Sequence, residues 1–137
     1  MTLMTRSLSP EVDIPEVVAE VRAAFEDYER ALVTNNVERI VAAFWESERT
    51  VRYGLEECQY GSEEISRWRR QAPPVPPGRT LGPTVITTFG QDFACVNTEF
   101  RNVGLDVVGR QSQAWARRPE GWRIVSAHVS AIPVGEP

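Results

Sequence analysis

The sequence predicts a single α+β domain, with helices packed on one face of a curved antiparallel sheet. Three observations predict it. Apolar residues recur at spacings of three and four through the first third of the chain, the period of an amphipathic helix. From residue 84 onward the period becomes two, in four segments separated by turn-forming residues, as in a strand meander. The 137 residues contain no internal repeat and no second composition zone, so one core has to serve both halves.

Taken in order, residues 1–12 read as a flexible tail, 13–132 as the domain, and 133–137 as a second tail. "DIPE" (13–16) opens the first helix, with Asp13 as N-cap, Pro15 in the first turn and Glu16 at the capping-box position. The stripe Ile14, Val17, Val18, Val21, Ala24, Phe25, Tyr28, Ala31, Leu32 extends it to residue 34. "TNN" (34–36) ends it and caps a second helix with Val37, Ile40, Val41 and Phe44 inward. A strand at 50–55 and a short strand segment from Cys58 to Tyr60 follow. "GSEEISRWRRQA" (61–72) is a third helix, with Ser62 as N-cap and Ile65 and Trp68 inward. "PPVPPG" (73–78) suits only a stiff connector. Strands are then expected over 84–90, 92–101, 107–118 and 121–132, joined by turns at "GQD", "NVGLD" and "RPEG".

Composition excludes several classes of function. A net charge of −4 and the lack of a basic stripe interleaved with aromatics argue against nucleic acid or an anionic membrane as partner. No apolar run approaches a membrane span, and the first residues lack the apolar core of a signal peptide. A cytoplasmic location is therefore expected, with Cys58 and Cys95 as reduced packing residues. With one histidine and no paired-cysteine or paired-histidine spacing, no metal site is expected, and phosphate-cradling glycine loops and serine-nucleophile motifs are absent as well.

Few residues are left to carry chemistry. Tyr28 lies on the apolar stripe of the first helix, so its ring is expected to be buried; it is either a core tyrosine or a phenol at the floor of a cavity. Arg52, in "TVRYG", shares a strand face with Thr50 and Gly54. It points either into water or into a pocket, where it would need an anion such as a carboxylate, or Glu99 as a protein partner. His128 reads as a structural or a catalytic histidine. Arg110, Ser112 and Ala114 share one face of their strand; Gln111, Gln113 and Trp115 share the other. Polarity on both faces suggests a sheet that lines a cavity or pairs with a second subunit, and the outer face around Trp115 is the expected dimer surface. Arg67, Arg69 and Arg70 read as a solvated face.

The blocks "PEVVAEVRAAFEDYERALVTNN", "FWESERTVRYG", "VITTFGQDFACVNTEFR" and "GRQSQAWARRPEGWRIVSAHVS" together resemble the AtzH-like family, which includes proteins called HpxZ. The resemblance implies the SnoaL-like, nuclear-transport-factor-2-like architecture: a cystatin-like cone of curved sheet and three helices enclosing a pocket, usually dimeric. It also implies a cofactor-independent decarboxylase that converts 1,3-dicarboxyurea to urea-1-carboxylate (allophanate), in cyanuric acid breakdown or in oxalurate and purine catabolism. The family's catalytic tyrosine and arginine correspond to Tyr28 and Arg52. Arg110, Gln113 and His128 are then candidates to hold a second carboxylate or the urea carbonyl. Two rival readings stand beside this one. One is a non-catalytic small-molecule-binding or assembly module partnering an amidohydrolase. The other is an isomerase or cyclase using a carboxylate base, for which Glu99 is the inward candidate.

Overall fold

A computed structural model describes residues 10–134 of the chain. The expected tails, 1–12 and 133–137, fall largely outside them. Nine elements follow one another: α1 (Pro15–Val33), α2 (Val37–Ala42), β1 (Val51–Tyr53), β2 (Cys58–Tyr60), α3 (Ser62–Gln71), β3 (Thr80–Phe89), β4 (Phe93–Arg101), β5 (Val107–Arg118) and β6 (Gly121–Pro133). All the expected elements are present, and α+β is the fold class. Among the described residues no helix is long and apolar enough to cross a membrane.

The six strands form one sheet in the order β2-β1-β6-β5-β4-β3. The meander β3 to β6 is antiparallel, as its hairpin turns require. β1, however, pairs with β6 in parallel, so the sheet is mixed rather than wholly antiparallel. The cause lies just after α2. Phe44 bridges Ile124, and the Trp45 amide donates to the Ile124 carbonyl at 2.9 Å. This lays the chain along β6 in β6's own direction before β1 begins.

Caps differ from expectation at two helices. Asp13 does not cap α1, whose N-cap is Ile14 without a side-chain bond. With φ at 59°, Asp13 instead faces β3, accepting the Thr88 amide on Oδ1 at 2.8 Å and donating its own amide to the Thr88 carbonyl. α3 is capped by Gly61 at φ 94°, a conformation that favours glycine. Ser62, the expected cap, accepts the Ser47 amide instead. Asn36 does cap α2, through the Arg39 amide.

The helices lie over the inner face of the sheet. Val17, Val21 and Phe25 of α1, Ile40 of α2 and Ile65 of α3 pack with Val96, Trp115 and Ile124 of the sheet. A β-bulge shifts the register between Ala114 and Trp115. Trp115 is 1% exposed, which rules it out as part of an outer dimer surface; its ring meets Tyr28 edge-on. Gly109 is required by close approach. A Cβ there would lie 2.2 Å from the Phe100 ring, and Phe100 is the platform on which Arg79 rests, 4.1 Å from the ring centre. Both cysteines are free; Cys95 is half-buried, but Cys58 is exposed and not a packing residue.

A buried ion pair ties the proline connector to the helix layer. Arg79 donates through Nε and Nη2 to the two carboxylate oxygens of Glu29, at 2.9 and 3.1 Å, and both side chains are nearly sealed from water. Gln111 completes the cluster, donating to Glu29 and accepting from Arg79. Removing one member of such a pair strands a charge at a cost of roughly 3–5 kcal/mol, whereas replacing both with apolar groups often costs little. Glu29→Ala should therefore lower the urea midpoint by the equivalent of about 3 kcal/mol. The double variant Glu29→Leu/Arg79→Met should recover most of that loss.

Candidate functional site

Between the inner sheet face, α1, α3 and the proline connector lies a cavity of about 560 Å³, within the range of small-molecule sites. Tyr28 forms its floor and Arg52 one wall, with Trp68, Arg69 and Gln113 beside them. The inward reading of Arg52 is thus the one the fold adopts. Strand register explains it. Arg52 sits between Gln59 of β2 and Ala127 of β6, both buried. Thr50, two residues earlier on the same face, is fully buried and donates its hydroxyl to the Trp45 carbonyl. Tyr53 pairs with His128 on the opposite face, where the two rings meet edge-on.

The Arg52 guanidinium is held from one side. Nη1 donates to Glu57 and Gln59, each at 2.9 Å, and the plane rests 4.2 Å from the Trp68 ring centre. Glu57, not Glu99, is its protein partner. Among the described residues Nε and Nη2 of Arg52 have no protein acceptor, which leaves them for a ligand.

Tyr28 is 7% exposed, wedged edge-on between Phe44 and Trp115. Its hydroxyl bonds to no described residue. Burial pushes its pKa up to about 12, outweighing the nearby Arg52 guanidinium, which favours the phenolate. Tyr28 is therefore a neutral phenol across the physiological range.

The remaining sequence candidates separate. Gln113 is inward and buried, lines the cavity and accepts the Trp115 indole N–H on Oε1 at 2.9 Å. Arg110 and His128 are exposed on the outer sheet face; Arg110 donates to Ser130, and Ser112 donates to Asn97 beside them. Neither reaches the cavity, because Arg110 is three residues from Gln113 on one strand and the bulge lies beyond both. Glu99 is also exposed; the glutamates that line the cavity are Glu57 and the exposed Glu56, with Glu29 buried just behind the lining against Arg79.

Three participants escaped the sequence reading. Glu29 lies eight residues after Val21 and four after Phe25, on the α1 stripe. Arg69 is not on a solvated face: it is four residues after Ile65, is 7% exposed and lines the cavity. Arg67 and Arg70 are exposed as expected, and Arg70 pairs with Glu38. Burial pulls the Arg69 pKa down from the usual arginine value. Arg79, in the loop after the prolines, carried no periodic signal at all.

The raised phenol pKa has a stability consequence of definite sign. The folded state holds the Tyr28 proton more tightly than the unfolded chain, where the pKa is about 10. Its contribution is fully present below pH 10 and is lost as the pH rises through about 12. Tyr28→Phe should consequently lose less stability than the wild type between pH 10 and 12, as read by urea midpoints across that range.

Comparison with known proteins agrees with this architecture. The family model described as AtzH-like matches residues 10–134. A cystatin-like fold protein from Burkholderia xenovorans LB400 is 52% identical, with a TM-score of 0.89 over 92% of this chain and 99% of that one. A protein of unknown function from the DUF3225 family of Pectobacterium atrosepticum SCRI1043 is 49% identical, with a TM-score of 0.86 over 88% and 94%. An NTF2-like protein of Pseudomonas putida KT2440 shares the fold at 14% identity, with a TM-score of 0.72 over 89% and 97%. No functionally curated protein matches the chain. The chain belongs to the AtzH-like family, and its cone of helices over a curved mixed sheet is the NTF2-like, cystatin-like fold.

Proposed function

We propose that the protein is a cofactor-independent decarboxylase of a small N-carboxylated urea, converting 1,3-dicarboxyurea to urea-1-carboxylate in cytoplasmic nitrogen catabolism. The observation that carries this reading is the placement of a neutral phenol, Tyr28, in one cavity with the half-satisfied guanidinium of Arg52. An acid that stays protonated and a cation that can take a carboxylate are what this reaction requires of a catalyst.

The step balances without a further reactant beyond a proton. Arg52 binds a carboxylate through Nε and Nη2 and sets the orientation. The bond between one urea nitrogen and its carboxylate carbon breaks; its electron pair goes to nitrogen, and the carboxylate leaves as carbon dioxide. The nitrogen takes the Tyr28 proton, and the phenolate regains a proton from solvent. A phenol of high pKa is a weak acid, but the nitrogen it protonates is a far stronger base than phenolate. Asn102 suits the same ligand class: the residue lines the cavity, and its buried Oδ1 has no donor among the described residues, which a urea N–H would supply. A carboxylate-base isomerase is less well supported, since Glu29 is spent on Arg79 and Gln111, Glu57 on Arg52, and Glu56 is exposed at the cavity mouth.

The reading includes a homodimer through the outer sheet face, where Val85 is 58% exposed beside Arg110 and His128. Sedimentation velocity should show twice the chain mass, and a monomer at micromolar concentration would remove this part.

Carbon dioxide release from freshly generated 1,3-dicarboxyurea tests the activity. The wild type should accelerate it. Tyr28→Phe should lower kcat by about 10²-fold or more, and Arg52→Lys should lower kcat/KM about tenfold to a hundredfold. No acceleration by folded wild type would reject the substrate; full activity in both variants would reject the site.

A further inference from the structure

Three guanidiniums face the cavity, and one of them has no carboxylate of its own. Arg79 binds Glu29, just behind the lining, and Arg52 binds Glu57, whereas Glu56, the remaining glutamate of the lining, is exposed. Arg69 has no carboxylate among the described residues. Its Nη2 donates to two backbone carbonyls at the end of α3, Ala72 at 3.4 Å and Pro73 at 2.5 Å. Among the described residues its Nε is buried with no partner, and the hydrogen bonds of the guanidinium all leave from Nη2, not Nη1.

A guanidinium buried to this degree without an anion is costly, and the position is not forced by the helix. Arg67 and Arg70 of the same run reach solvent. The stem of Arg69 emerges on the Ile65 face, and its charge is supported by the two carbonyls, by Trp68, whose ring centre lies 5.0 Å away, and at longer range by the Glu57 carboxylate, which is already bound to Arg52. The same indole carries Arg52 at 4.2 Å. Two cations that repel each other are thus held around one aromatic ring, with Tyr28 beneath them. A single small molecule can reach both.

We propose that Arg69 is the second anion-holding residue of this site, and that together with Arg52 it selects dicarboxylates over monocarboxylates. The proposal deepens the decarboxylase reading and rests on it for the reaction, though not for the binding. It takes over the role that the sequence assigned to Arg110 and His128, which lie on the other face of the sheet. A consequence follows for turnover. Loss of one carboxylate as carbon dioxide leaves a product that cannot engage both arginines, so it is released instead of being decarboxylated again.

Glutarate has the same five-atom backbone between and including its carboxyl carbons as 1,3-dicarboxyurea, and it does not react. Its monoamide, glutaramate, presents one carboxylate. Titration calorimetry at low ionic strength should find glutarate bound about tenfold to a hundredfold more tightly than glutaramate by the wild type. In Arg69→Gln that preference should vanish. Glutaramate itself should weaken by no more than about twofold, because its one carboxylate still has Arg52 and loses only a choice of sites. Arg69→Lys should keep part of the preference.

Equal affinity of the wild type for the two ligands would overturn the proposal without reference to any variant. So would a loss in Arg69→Gln that is the same for both ligands, since that pattern marks a residue that only shapes the pocket. An Arg69-dependent preference in a protein that releases no carbon dioxide from 1,3-dicarboxyurea would uphold the anion site while rejecting the decarboxylase.

Discussion

Two carboxylates, Glu29 and Glu57, neutralise two of the three guanidiniums that face the interior, and this pairing is what allows one cavity to hold so much charge. A lone buried cation is costly, and a paired one is tolerable only when its hydrogen bonds are also met. The fold meets them unequally. Arg79 holds Glu29 through both Nε and Nη2, with Gln111 beside it, and serves structure, locking the proline connector against α1. Arg52 is satisfied on one edge only, and Arg69 has two carbonyls and no carboxylate. That gradient, from a two-pronged carboxylate pair through a one-edged pair to none, separates the arginine that builds the pocket from the two with room for a ligand.

The phenol depends on the same balance. Guanidiniums near Tyr28 pull its proton off, while burial and the Glu29 charge hold it on, and burial is the largest influence. Had the cavity been wetter, the same arginines would have favoured a phenolate and hence a base. Phe44 and Trp115, which pack edge-on against the Tyr28 ring, therefore help set its protonation, because they keep the ring out of water.

Much of this was legible in the sequence, wherever one residue's position followed from its own element. The 3.6-residue period placed Tyr28 inward, and the two-residue period placed Arg52 on the face of Thr50. The strands of the meander fell within a few residues of their observed ends because glycine-bearing turns separate them. Periodicity failed where hydrophobicity was taken as its only marker. Glu29 and Arg69 obey the same spacing as Phe25 and Ile65, but charged residues were assumed to face water. Long-range pairing was out of reach: three residues of β1 carry no sign that they join β6 in parallel. The phase of β5 explains the remaining error, since Arg110 and Gln113 are an odd number of residues apart and cannot share a face without a bulge between them.

The central claim is that the inner face of the cone, not the outer face, takes the ligand. A crystal structure of the protein soaked with glutarate tests it most directly. The account predicts one dicarboxylate inside the cavity, a carboxylate on Arg52 Nε and Nη2 and the chain of the ligand above the Tyr28 hydroxyl. Glutarate bound instead on the outer face, at Arg110 and His128, with the cavity left to water, would contradict it.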